Sequence, residues 1–290
     1  MSGGSSADWG AETDMTGHRL QEQHSPEEGL HVLKNHWTQK SYLEDYCRAL
    51  TPDRLRAAID ATHREAPHRG ELGYVNLRSG DNRCSLGAMA ASSNERRLEA
   101  ALFDWYGCPS SPEAPGLWKR LVAFQVPLYA ARRRDRWGSI DLLGLTTSGE
   151  PTVIELKTGR SSETPLHALL QAATYATVLR ANWAQLFSEL ATLPVVRGLN
   201  LLVHARPEQW PLILLAPCGY WDVWSTRTPK GRTVTPSGRE AYRDLRARFA
   251  EQGLPVLQAE VTHSGPGRVV GLGAESLLVR LLASSWDDES

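Results

Sequence analysis

Two short apolar segments in the middle of the chain contain charged side chains that a buried strand does not readily accept. Asp141 lies within residues 139–146, whereas Glu155 and Lys157 lie within residues 152–158. A buried charge without a partner is costly, so the fold must compensate these groups. The turn-forming residues between the segments predict a β-hairpin, in which alternate side chains point to the same face. Glu155 and Lys157 should therefore share one face.

The hairpin register decides whether Asp141 lies beside Glu155. A loop of three residues, 147–149, or a bulge makes the two carboxylates direct partners, whereas a two-residue turn does not, and we predict the former. Paired carboxylates offer hard oxygen ligands, which suit Mg²⁺ or Mn²⁺ better than zinc. Lys157 beside them could orient an attacking water and offset charge that develops on a phosphate. Such a set of residues suits metal-assisted chemistry on phosphate, and amphipathic hairpins also carry charges of this kind on solvated faces.

The other patterns predict an α/β domain with one mixed sheet covered by helices. The predicted helices cover residues 29–66 with a break at Thr51, 94–106, 164–183 and 238–252, and the predicted strands, besides the hairpin, cover 124–130, 199–204, 211–216 and 255–261. Residues 1–26 are polar and predict a flexible tail. We predict that residues 27–93 form a mostly helical N-terminal region and that residues 94–290 form the main domain.

Charge, cysteine content and apolar stretches restrict the kinds of protein that this chain could be. The formal net charge of −1 gives no global basic field, so nucleic acid would have to be bound by local clusters. The four cysteines are scattered and match neither a zinc site nor a disulfide framework. We see no signal-peptide pattern and no apolar stretch of roughly 18 residues, and so expect a cytoplasmic protein that does not enter membranes.

The helix over residues 164–183 adds two polar side chains to the hairpin. Gln171 and Tyr175 are four residues apart and therefore share a helix face. The pattern D-(x13)-E-L-K followed by Q-x-x-x-Y resembles the PD-(D/E)XK nuclease superfamily, especially its RecB-type members, over roughly residues 94–183. Ile140 stands where the proline of the motif would be.

This resemblance implies a restriction-endonuclease-like core, with a central mixed β-sheet flanked by helices and a mostly helical N-terminal extension. It implies that Asp141 and Glu155 bind the metal and that Lys157 assists the attacking water. Gln171 and Tyr175 match the accessory motif that orients the site or the DNA.

A further acidic ligand often comes from the first core helix of such families. Glu95 matches that position here, with Glu99 as the competing choice. A basic run precedes the Asp141 strand, and it could either grip phosphates or form an ordinary solvated loop. This run consists of Arg132, Arg133, Arg134 and Arg136.

The function implied by the resemblance is a Mg²⁺- or Mn²⁺-dependent nuclease, acting on DNA in preference to RNA, in phage defence, restriction or DNA repair. One alternative is a non-catalytic nuclease-fold protein that binds nucleic acid or serves as a scaffold. Another is an activator-gated ribonuclease effector that senses its signal through residues 27–91. Cutting both strands often requires two active sites, so a homodimer or a partner subunit is a further hypothesis.

Overall fold

The computed structural model describes residues 28–36, 43–75, 94–107, 113–128, 137–159, 161–196, 207–226, 236–263 and 277–282. These residues form eight α-helices and six β-strands. The helices are α1 Leu30–His36, α2 Leu43–Ala49, α3 Pro52–Glu65, α4 Asn94–Tyr106, α5 Pro165–Ala181, α6 Trp183–Leu190, α7 Cys218–Thr226 and α8 Pro236–Glu251. The strands are β1 Arg120–Pro127, β2 Ser139–Leu145, β3 Pro151–Leu156, β4 Leu212–Ala216, β5 Val256–His263 and β6 Leu277–Leu281.

The strands lie side by side in chain order and form one mixed sheet. The pairs β1–β2, β2–β3 and β5–β6 are antiparallel, whereas β3–β4 and β4–β5 are parallel. Parallel neighbours need a crossover connection, which α5 and α6 provide after β3 and α7 and α8 provide after β4. The predicted α/β architecture with a mixed sheet is confirmed.

Helices pack on both faces of this sheet. On one face, α5 packs against β3 and β4, and its apolar residues share a core with Val153 and Leu214. On the other face, α4 packs against β1 and β2, and Leu102 shares a second core with Leu142 and Ile154. The hairpin is therefore buried from both sides, as its apolar sequence requires.

The helix α5 lies at the centre of the larger core. Thr164 caps its first turn, where the Thr164 hydroxyl accepts a hydrogen bond from the backbone N–H of His167 at 3.0 Å, and Pro165 begins the helix. The N-terminal helices α1 and α3 also pack against α5. Leu30 and Leu33 of α1 are buried in the same core as α5. The helices α1 and α3 therefore cover part of α5.

The sequence located most elements of the described part, with some differences. The predicted break at Thr51 is confirmed, because Thr51 caps α3 and Pro52 begins it, whereas the stretch before the break contains two described helices, α1 and α2. The helix α7 and the strand β6 were not predicted. The predicted strand 199–204 and the tail 1–26 lie outside the described residues, as do residues 76–93 of the N-terminal region. Among the described helices, none is long and apolar enough to cross a membrane.

Candidate active site

The register of the β2–β3 hairpin places Asp141 and Glu155 on adjacent strands. Leu142 pairs with Ile154, and the same register continued by one residue sets Asp141 opposite Glu155. A loop of three residues, 147–149, joins the strands, and the residues that flank it form a backbone N–H···O=C bond of 2.9 Å. The register and the loop length predicted from the sequence are confirmed.

Asp141 is buried at the point where the paired part of the hairpin ends. Its Oδ2 accepts a hydrogen bond of 2.8 Å from the backbone N–H of Leu156, and the residue is 8% exposed. Burial, followed by the negative charges of Glu155 and Glu99, raises the pKa of Asp141 well above its ordinary range. The carboxyl group is therefore held firmly in a position that disfavours its charged form.

Two glutamates of α4 lie close to Asp141. Glu95 and Glu99 are one helical turn apart, so they lie on the same side of the helix. Each of the three residues offers a carboxylate oxygen, and these oxygens lie within 4.8 Å of one another. Burial is the main cause that raises the pKa of both glutamates. The pKa of Glu99 rises to about 7. The two residues considered as alternatives thus both approach Asp141.

Glu155 lies near these three carboxylates and is hydrogen-bonded to a lysine. Its Oε1 accepts a hydrogen bond from Lys157 Nζ at 2.7 Å. Its Oε2 is buried and has no hydrogen-bond partner in the described part of the chain. This oxygen is therefore available to accept from water or to bind a ligand.

Lys157 contacts three side-chain oxygen atoms, one each from the hairpin, the connection after β3 and α5. Besides Glu155, its Nζ lies 3.0 Å from Gln171 Oε1 and 2.5 Å from Glu163 Oε2. Burial works to lower the pKa of Lys157, but the charges of Glu155, Glu163 and Asp141 outweigh it and raise the pKa above its usual range. The ammonium group therefore remains charged although its side chain is buried.

Glu163 is a site residue that the sequence reasoning missed. Burial would raise the pKa of its carboxyl group, but His167 and Lys157 lower it to about 2. His167 Nδ1 lies 3.2 Å from Glu163 Oε2. No periodic pattern singles out this residue, because it lies in the connection between β3 and α5.

Tyr175 packs against the backbone where β2 begins. The residue is buried, and a Cβ atom built on Gly138 would lie only 2.9 Å from the Tyr175 hydroxyl. Gly138 has a φ of +79°, a conformation that side chains rarely adopt. Burial, followed by the charges of Glu155 and Asp141, raises the pKa of Tyr175. Gln171 and Tyr175 therefore both lie against the hairpin, as their spacing predicted.

The comparison with known proteins agrees with this geometry. A profile of the PD-(D/E)XK nuclease superfamily matches residues 19–253. The chain belongs to this superfamily. Its six-stranded mixed sheet with flanking helices is the restriction-endonuclease-like core expected of a PD-(D/E)XK protein. No curated protein and no solved structure matches the chain. The assignment to the RecB-type branch stays a prediction.

This PD-(D/E)XK protein also brings its N-terminal helix α1 to the site. Lys34 is 5% exposed, its Nζ donates a hydrogen bond of 3.0 Å to the backbone oxygen of Trp137, and it lies 4.8 Å from the centre of the Tyr175 ring. Burial lowers the pKa of Lys34 to about 8, although the charge of Glu155 opposes this effect. The ring of His31 stacks on Trp137 with 4.2 Å between the ring centres. Two side chains of α1 thus hold the turn that precedes β2.

One indirect sign of Lys34 was present in the residue pattern. Leu30, Leu33 and Lys34 follow a three- and four-residue spacing, which puts the lysine on the apolar face of a helix. The basic run Arg132, Arg133, Arg134 and Arg136 lies outside the described residues of this PD-(D/E)XK protein. Its phosphate-binding role therefore stays a prediction.

Proposed function

We propose that this member of the PD-(D/E)XK superfamily is a nuclease that uses Mg²⁺ or Mn²⁺ to hydrolyse phosphodiester bonds, with DNA as its preferred substrate. The observation that carries the proposal is the convergence of Glu95, Glu99 and Asp141, with the charged Lys157 on the same hairpin as Asp141. Acidic oxygens beside a buried cation fit a site for divalent metal and phosphate.

The donor set supports a hard divalent cation. Three carboxylates in reach of one another repel when they are charged, and a cation relieves that repulsion. Oxygen ligands favour Mg²⁺ or Mn²⁺ over zinc. In the proposal Asp141 and Glu155 hold the ion, with Glu95 or Glu99 or both, and the unpartnered Oε2 of Glu155 is a free ligand atom for it. When bound, the ion would polarise the phosphate and acidify a nearby water.

The protein groups around the ion have separate tasks in this proposal. In the metal-free protein the neighbouring carboxylates raise the pKa of Lys157, so its side chain carries a positive charge there. A positive charge there stabilises the additional negative charge that a phosphate carries in the transition state. Gln171 holds the ammonium group of Lys157 by its Oε1. Tyr175 supports the backbone at the start of β2.

The proposal is tested with labelled single- and double-stranded DNA and RNA in the presence of Mg²⁺, Mn²⁺ or EDTA. We expect metal-dependent cleavage of DNA that falls by at least ~100-fold in Asp141→Asn and in Lys157→Met. Glu150→Gln is the matched control, because Glu150 lies in the turn of the same hairpin and should keep full activity.

The other outcomes separate the alternatives. Cleavage of RNA alone would show that RNA, and not DNA, is the substrate. Equal cleavage by wild type and Asp141→Asn would refute the proposed active site. Binding of nucleic acid without cleavage by any variant would indicate a scaffold protein. Cleavage that begins only after a cellular extract is added would indicate an activator-gated enzyme.

A further inference from the structure

Gln125 has an unusual backbone conformation in the interior of β1. Among the described residues it is the one non-glycine residue with a positive φ, 49°. A glutamine in this left-handed region is strained, and such strain persists only where the surrounding structure enforces it. The neighbours of Gln125 in the sheet indicate its structural role.

The strained residue lies directly across from Asp141. Phe124 pairs with Leu142 and Val126 pairs with Ile140, so Gln125 is opposite the aspartate between them. Its side-chain Nε2 donates a hydrogen bond of 2.5 Å to Glu99 Oε2. Gln125 therefore connects β1 to one of the three clustered carboxylates.

The positive φ accounts for this contact. Neighbouring residues of a regular strand point to opposite faces of the sheet. Here two successive residues both reach α4: the ring of Phe124 lies 5.0 Å from that of Phe103, and Gln125 bonds Glu99. The left-handed conformation lets the strand direct both side chains to the same helix.

We propose that Gln125 is a positioning residue of the metal site, an inference that rests on the proposed function. Its amide fixes the orientation of the Glu99 carboxylate by bonding Oε2 and leaves Oε1 free of that bond. A neutral donor suits this task, because a lysine or arginine in its place would cancel the negative charge that attracts a cation. Groups that hold metal ligands in this way commonly change metal affinity by ~10- to 100-fold when they are removed.

The test separates the effect of Gln125 on stability from its effect on metal affinity. Gln125→Gly relieves the left-handed conformation and removes the hydrogen bond, so the variant should be at least as resistant to urea as wild type. Its affinity for Mn²⁺, measured by calorimetry without substrate, should nevertheless fall by ~10-fold. Gln125→Asn keeps an amide in a residue that tolerates this conformation, but it is one methylene too short and should bind Mn²⁺ as weakly.

A matched control is Gln185→Asn, which shortens a glutamine whose amide bonds the backbone oxygen of Gly70 at 2.7 Å and should leave Mn²⁺ affinity unchanged. Wild-type Mn²⁺ affinity in Gln125→Gly would overturn the proposal, as would a loss of affinity only in variants that also lose stability. Asp141→Asn is measured in parallel. If it loses Mn²⁺ while Gln125→Gly retains it, only the role of Gln125 fails; if Asp141→Asn retains Mn²⁺, the metal site itself fails.

Discussion

Replacement of Glu99 by glutamine should stabilise the metal-free protein at alkaline pH. Glu99 is 2% exposed, and burial raises the pKa of its carboxyl group from its ordinary value near 4.5 to about 7. The folded protein therefore holds this proton up to a higher pH than the unfolded chain does. Folding stability from this group is complete below pH 4.5 and is lost as the pH rises to 7.

The size of the effect follows from that difference in pKa. It corresponds to at most about 3 kcal/mol, and neighbouring carboxyl groups that take up a proton in response would reduce it. Glutamine is a close neutral mimic of protonated glutamate. Glu99→Gln and wild type should therefore have similar stability at pH 4.5, whereas the variant should gain up to about 3 kcal/mol at pH 8.

Urea unfolding in EDTA at both pH values measures this gain. Excess Mg²⁺ or Mn²⁺ should then stabilise wild type more than Glu99→Gln, because a bound cation favours the folded state and the variant lacks one carboxylate. Glu113→Gln, at an exposed position, serves as the control and should show no gain. A variant that is no more stable than wild type at pH 8 in EDTA would refute the reasoning.

Two further predictions concern the start of β2. Lys34→Met should lower the rate of cleavage about 10-fold at pH 7, because loss of this positive charge raises the pKa of the Glu155 carboxyl group and disfavours its charged, metal-binding form, whereas Lys119→Met should not lower the rate. The ratio of the wild-type rate to the Lys34→Met rate should fall above pH 8, because Lys34 loses its proton there. Rate profiles from pH 6.5 to 9.5 measure this ratio, and a constant ratio would contradict the prediction. Gly138→Ala should lower the free energy of unfolding by about 1–3 kcal/mol, because its φ is positive and its Cβ meets the Tyr175 hydroxyl. Urea unfolding measures this loss, and Gly138→Ala combined with Tyr175→Phe should recover part of it, whereas strictly additive losses would exclude the contact.

The sequence predicted the hairpin because both of its determinants are local. The length of the loop fixes the register, and the register alone brings Asp141 next to Glu155. The spacing of Gln171 and Tyr175 is also local, since residues four apart share a helix face whatever the fold. A choice between Glu95 and Glu99 was harder, because the same spacing puts both on one face and only the packing of α4 shows that both reach Asp141.

The residues that were missed depend on contacts between distant parts of the chain. Lys34 is 103 positions away from Trp137, whose backbone oxygen it binds, and no local pattern connects them. Gln125 reaches Glu99 through a backbone conformation that its residue type does not favour. Glu163 lies in a loop whose path is set by β3 and α5 together. Tertiary packing, and not propensity, decides each of these positions.

The packing of α1 and α3 against α5 bears on how far this protein can be shortened. A chain that began at residue 94 would retain the hairpin and the carboxylates but would leave one side of α5 uncovered. That side is lined by buried apolar residues, and a newly exposed apolar patch of this kind promotes aggregation. Tyr175 would at the same time lose the ammonium group beside its ring. The smallest chain that stays monodisperse in solution should therefore begin before Leu30.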